Sequence, residues 1–195
     1  MPKERLRDVS DVRVLAALAH PVRFQLLGYL LELGPRTATE CAAVVEATPS
    51  ACSYHLRHLA RFGLVERADG EDATDGRERR WQASATGFRL GVGPPSADSP
   101  AEHAARRSLA VAGVDENARL AREYLATAEV LPAEWQDAAG FAAYGLRVTP
   151  EELAAIGAAL DEVLRPYVGA TREDVPDGAR AVHVTVQAFP RADST

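Results

Sequence analysis

Hydrophobic positions recur at helical spacing through the first third of the chain, and each run is bracketed by residues that start or stop a helix. Val12, Leu15 and Leu18 form a first stripe, with Ser10 or Asp11 placed to cap it, and the run stops near His20-Pro21. Pro21 suits the first position of a second helix carrying Phe24, Leu27, Leu30 and Leu31, closed by Gly34-Pro35. Thr37-Ala38-Thr39-Glu40 reads as a capping box, in which the Thr37 hydroxyl and the Glu40 carboxylate each accept from the other's backbone N–H at the start of a short third helix. Thr48, followed by Pro49, opens a fourth helix that Gly63 closes after Phe62. Leu64 to Ala68 and Arg79 to Ala83 then read as two strands around a turn-rich stretch from Asp69 to Gly76. A short helix, a tight turn at Ala47-Thr48-Pro49, a longer helix and a hairpin together predict a winged helix-turn-helix.

The second half follows a different pattern. Gly91 to Pro100 collects glycine, proline and serine and marks a joint. From Ala101 to about Val130 the chain reads as helix, with Leu120, Tyr124 and Leu131 on one side and Leu109 further back. Phe141 to Val148 alternates as a strand does, Thr149-Pro150-Glu151-Glu152 begins a helix carrying Leu153, Ile156, Leu160, Val163 and Leu164, and Val182, Val184 and Val186 alternate with His183, Thr185 and Gln187. The expected fold class is therefore α+β: a winged helix-turn-helix at 1–93, a long linking or dimerisation helix at 101–131, and a small strand-helix-strand module at 132–195.

Charge refines this picture. The net charge is −6, which argues against a nucleic-acid partner until its distribution is considered. Residues 1–93 hold 13 Lys and Arg against 12 Asp and Glu, or +1, whereas residues 94–195 hold 9 against 16, or −7. The acid belongs to the second half, so a DNA-binding surface must come from a local cationic cluster in the first. Apolar runs are too short to span a bilayer, and Met1-Pro2-Lys3-Glu4 does not begin a signal peptide, so a cytoplasmic protein is expected. Cys41 and Cys52 stand eleven positions apart with no second thiol near either, which suggests two buried thiols and neither a disulfide framework nor a metal site. No cofactor is expected.

The candidate chemistry lies on the fourth helix. Cys52, Leu56 and Leu59 fall on one face and commit it to the core. The other side carries Ser50, Ser53, Tyr54, Arg57 and Arg61, a mixture of short hydroxyls, a polar-tipped ring and guanidinium groups suited to base edges and phosphates. Arg57 is the strongest candidate for a base contact and Arg61 for a phosphate. His58 is placed to approach a phosphate, while His55 is expected to lean into the domain as a hydrogen-bonded, partly buried ring. In the hairpin, Arg77 and Arg79 are candidates for the adjacent minor groove or backbone.

Two segments, Ala16 to Leu27 with its Ala19-His20-Pro21-Val22-Arg23 core, and Pro49 to Val65, resemble the ArsR-type winged-helix repressors. The resemblance covers roughly residues 10–92. It implies a homodimer on an imperfect palindrome of double-stranded DNA, with the helix matching Pro49 to Phe62 in the major groove and the hairpin flanking it, and often an effector that releases the complex. It also implies a dimer contact through the long helix, here Leu109, Leu120 and Tyr124. Relatives that sense metals through a Cys-x-Cys pair at the third helix differ from this chain, which has only Cys41 there.

Other functions stay open at this point. The chain shows no GxSxG elbow, phosphate-cradling glycine loop or HExxH helix, so an enzyme is not expected. A winged helix kept as a protein-interaction module, with little DNA binding, is consistent with the +1 charge of the first half. A small-molecule-responsive regulator, sensing through a pocket lined by Trp135, Phe141, Tyr144 and Tyr167, is a further alternative.

Overall fold

The computed structural model describes residues 7–68, 79–90, 99–169, 172 and 174–191. Three of the first four helices begin on a side chain that accepts from a free N–H of the first turn, and the other begins on a proline. Asp11 caps α1 (Val12–Leu18) by accepting from Arg13 N, and Pro21 opens α2 (Pro21–Leu33). The Thr37–Glu40 capping box starts α3 (Ala38–Val44), and Thr48 caps α4 (Pro49–Arg61). After α4 the chain turns through Gly63, whose φ of +66° lies in the left-handed region that a side chain would strain.

The hairpin follows as β2 (Val65–Arg67) paired antiparallel with β3 (Trp81–Ala83), Glu66 opposite Gln82. Two strands without a local sequence signal, β1 (Arg7–Val9) and β4 (Phe88–Leu90), pair in parallel. Around them the core gathers Leu15 and Leu18 of α1, Leu26, Leu27 and Leu30 of α2, Cys41 of α3, Cys52, Leu56 and Leu59 of α4, then Leu64, Val65 and Trp81. Such a fully buried leucine stabilises the fold by roughly 1.5–3 kcal/mol relative to exposure. This is an α+β winged helix-turn-helix.

The long helix α5 (Pro100–Thr127) starts on a Ser99 cap and packs against α1 and α2. Leu109, expected at a dimer contact, is instead buried in its own subunit's core, which leaves its side chain no free surface for a partner. Leu120 and Tyr124 stay half-buried on α5.

Beyond α5 the structure departs from the expected module. The short α6 (Ala133–Ala138) and the capping-boxed α7 (Pro150–Leu164) form. Residues 141–148 and 182–186, read as strands from their alternation, run without turn or bend but pair with nothing among the described residues. Alternation records which faces differ in polarity; it does not supply the neighbouring strand that makes a ladder. The joint at 91–98 lies outside the described residues. No single described helix is long and apolar enough to cross a membrane.

Candidate nucleic-acid interface

The centre of the site is carried on α4. The Thr48 hydroxyl accepts from Ala51 N at 3.2 Å, Pro49 occupies the first turn, and Cys52, Leu56 and Leu59 are fully buried beneath the helix. At its other end, the Arg7 guanidinium donates to the carbonyls of Gly63 at 2.6 Å and Phe62 at 3.4 Å, and the Ser84 hydroxyl donates to Gly63 O at 2.5 Å. The Arg7 cation and the Ser84 hydroxyl satisfy carbonyls that a helix terminus otherwise leaves free. Both ends of α4 are therefore fixed by tertiary contacts.

On the outer side, Ser50, Tyr54, Arg57 and Arg61 are exposed, while Ser53 and His58 are half-buried. Tyr54 is 59% exposed, which settles that its ring points away from the core. Arg57 folds back along the helix, its Nε donating to Ser53 O at 3.2 Å. Neither Arg57 nor Arg61 makes an ion pair among the described residues.

Beside this row runs a string of rings. His20 and His55 stand 4.7 Å apart between centroids, Tyr54 meets His55 edge-on at 5.3 Å, and His58 lies 5.3 Å from Phe62. Burial is the first cause that lowers all three histidines below their ordinary value; the Arg23 charge adds to it for each, and neighbouring histidines add to it for His55 and His58. At neutral pH these rings are uncharged, so His58 offers a phosphate an N–H without a positive charge. His55 does lean inward, yet its Nδ1 is buried without the hydrogen bond expected of it, and Arg23 Nε is likewise unpartnered.

In the wing, Arg79 is exposed, and Arg77 lies outside the described residues. A third arginine completes the cationic surface. Arg67 of β2 lays its guanidinium over Trp81, 3.7 Å from the ring centroid, and donates from Nη1 to Arg79 O at 3.0 Å. Its pKa is lowered first by burial and then by the charges of Arg79 and Arg57, so three guanidinium groups from helix and wing sit within one another's field. Such crowding costs energy unless an anion enters. The wing is anchored at its base, since Arg36 and Trp81 exchange backbone hydrogen bonds at 2.9 and 2.7 Å. Sequence reading missed Arg67, although a cation in the strand that leads from the fourth helix into a wing was the available signal.

Two buried thiols complete the domain. Cys41 is fully buried, and desolvation pushes its pKa up to about 12. Among the described residues no three His, Cys, Asp or Glu side chains converge as a metal site.

A family model described as a helix-turn-helix domain matches the chain over residues 18–68. These are the residues of α2, α3, α4 and β2, the helix-turn-helix itself and the strand that leads from it into the hairpin. No curated protein matches. Among solved structures, the chain is similar to a probable transcriptional regulator from Pseudomonas aeruginosa, 20% identical over 77% of this chain and 90% of that one, with a TM-score of 0.32. It is also similar to a MarR family transcriptional regulator from Silicibacter pomeroyi, at 18% identity over 77% and 72% with a TM-score of 0.29. A third is a MepR mutant from S. aureus bound to an oligodeoxyribonucleotide, at 15% identity over 80% and 87% with a TM-score of 0.30. Superpositions this weak say nothing of what the present chain binds.

Proposed function

We propose that this helix-turn-helix protein is a sequence-specific, ArsR-type transcription regulator that acts in the cytoplasm as a homodimer on a palindromic operator and represses by occluding it. One observation carries the reading: α4 turns Ser50, Tyr54 and Arg57 outward from a fully buried Cys52–Leu56–Leu59 face, with no carboxylate among the described residues neutralising Arg57. In this reading α4 enters the major groove, where Ser50, Ser53, Tyr54 and Arg57 meet base edges and Arg61 and His58 meet the backbone. Arg67, Arg77 and Arg79 of the wing follow the flanking phosphates. Residues 1–93 bind DNA, 101–131 link the subunits through Leu120 and Tyr124, and 132–195 form an appended module. Two copies of α4 would address half-sites about one helical turn apart, roughly 34–36 Å.

Fragments of genomic DNA selected on the purified protein would supply the operator and, through neighbouring genes, point to an effector. On that operator, Arg57→Ala lowers affinity by about 5- to 150-fold, the equivalent of losing one bidentate guanine contact of about 1–3 kcal/mol, and relaxes base preference at one position per half-site. Fluorescence anisotropy measures both, and an unchanged affinity removes Arg57 from the interface. The rival reading, a protein-interaction module, draws on the +1 charge of residues 1–93. Salt titration separates the two, since affinity that falls steeply with salt belongs to a phosphate binder.

A further inference from the structure

Half-buried Arg23, in the first turn of α2, makes no ion pair and no side-chain hydrogen bond among the described residues. Its Nε is shut off from solvent without a partner, and so is Nδ1 of His55 on α4. The exposed Arg57 and Arg61 satisfy their donors with water, whereas Nε of Arg23 cannot. A guanidinium does not shed its proton in a protein, so Arg23 stays a cation held partly out of water. Such a group is costly until it meets an anion.

The groups around it supply no such anion. The Arg23 charge acts on His20, His55 and His58, and the Tyr54 phenol lies within its field. His20 and His55 stand 4.7 Å apart between centroids, with Tyr54 edge-on to His55 at 5.3 Å. The further charge that reaches these rings is another cation, Arg61, at His58; among the described residues no carboxylate acts on any of the three or on Arg23. His20 and Tyr54 are exposed while Arg23, His55 and His58 are half-buried, so the cluster opens to solvent at His20 and Tyr54. Only Nε of the three guanidinium nitrogens is enclosed, which leaves the two Nη groups open to a ligand from that side.

The place of the cluster on α4 says what that ligand is. At about 3.6 residues per turn, His58 and His55 lie about 40° and 100° around the helix from Tyr54 on one side, and Arg57 lies about 60° on the other. Arg57 shares its side with the wing, since its charge and that of Arg79 both act on Arg67. The helix therefore has the wing cations along one flank and Arg23 along the opposite one. A helix lying in a major groove about 12 Å wide has a phosphate strand on each flank. We propose that Arg23, His20 and the Tyr54 hydroxyl form a phosphate-group site, filled by the DNA backbone on the flank of α4 away from the wing. Phosphate oxygens accept from the Arg23 Nη groups, from a ring N–H of His20 and from the Tyr54 hydroxyl, and the charge left unanswered in the free protein is neutralised. His55, against both the His20 and the Tyr54 rings, positions the rim.

The site deepens the DNA-binding reading and rests on it, and the test keeps the two apart. In the full-length protein, Arg23→Met keeps the aliphatic stem and removes the charge. The guanidinium has no partner to lose, so the Tm of the free variant is unchanged or higher. By fluorescence anisotropy the variant binds operator and random duplex about tenfold more weakly alike, because a phosphate contact carries no base preference. Its slope of log affinity against log salt shrinks by about 0.9, the value of one phosphate contact, and Arg23→Lys keeps the parent slope. A parent slope retained in Arg23→Met overturns the site, and a lowered Tm beside that slope makes Arg23 a structural partner of the His55 ring; the operator reading survives either result if Arg57→Ala still relaxes base preference. If the parent binds no duplex, the operator reading falls and inorganic phosphate decides the site. Millimolar phosphate that moves the His20 imidazole signals in the NMR spectrum of the parent, but not of Arg23→Met, upholds a site for a free phosphate group in place of the backbone. Signals unmoved in both overturn it.

Discussion

Imidazole rings and guanidinium groups share the surface of α4, and their protonation sets what that surface can offer. His20, His55 and His58 all have pKa values below the ordinary 6.5, with burial as the first cause. A group whose folded pKa is depressed leaves stability intact above its unfolded value and removes it as pH falls, because the unfolded chain then binds a proton that the folded one resists. Thermal stability is therefore expected to hold at pH 7.5 and to fall as the pH drops through about 6.5 toward about 5.5. His55 dominates this effect, since it lies against His20 and buries an unpartnered Nδ1. His55→Phe keeps the ring and removes the proton site, so its Tm should be flatter across that window and no lower at pH 7.5. A parent protein whose Tm does not fall on acidification would show that these rings do not report on folding.

At the scale of elements, capping decides whether the recognition helix starts where it must. The Thr48 hydroxyl holds Ala51 N at 3.2 Å and has no substitute nearby. Thr48→Ala should cost about 1 kcal/mol, a fall in Tm of roughly 2–4 °C for a chain of this length, measurable by calorimetry. A fall of the same size in operator affinity would add that the fraying turn carries Ser50 out of register; an unchanged Tm would mean that Pro49 and the buried face alone fix the start. Such signals are local, which is why α1 to α4 and α7 were legible in the sequence: α1, α3, α4 and α7 each begin with a side chain and a backbone N–H only two or three positions apart, and α2 begins on Pro21. The pairing of β1 with β4 was not legible, because it joins Arg7–Val9 to Phe88–Leu90, about eighty residues away, in strands of three residues with mixed polarity. For the same reason 141–148 and 182–186 could be read as β-prone but not as paired. The outward face of α4 followed from its helical period. Arg67 did not, since its role arises from a tertiary neighbour, Trp81, and from the approach of Arg57 and Arg79.

For the whole molecule the consequential contact is the one tying the last segment to the first domain. His183 is flanked on both ring nitrogens by acceptors, Glu32 Oε1 and Asn117 Oδ1, an arrangement satisfied best when both nitrogens carry protons. Its pKa is raised, first by the hydrogen bond to Glu32 and further by the charges of Glu32 and Glu116, against the opposing effects of burial and Arg119. A histidine raised on folding stabilises fully below its unfolded value of 6.5, and the stabilisation is lost as pH climbs through the raised folded value. The arm should therefore hold α2 and α5 firmly in mild acid and loosen toward mild alkali, opposite in sign to the rings on α4. Hydrogen exchange of residues 179–191, corrected for the intrinsic effect of pH, should show protection that declines above neutrality in the parent chain and stays low and flat in His183→Ala. Protection independent of pH, or a variant as protected as the parent, would mean that other contacts hold the arm, with the imidazole a bystander.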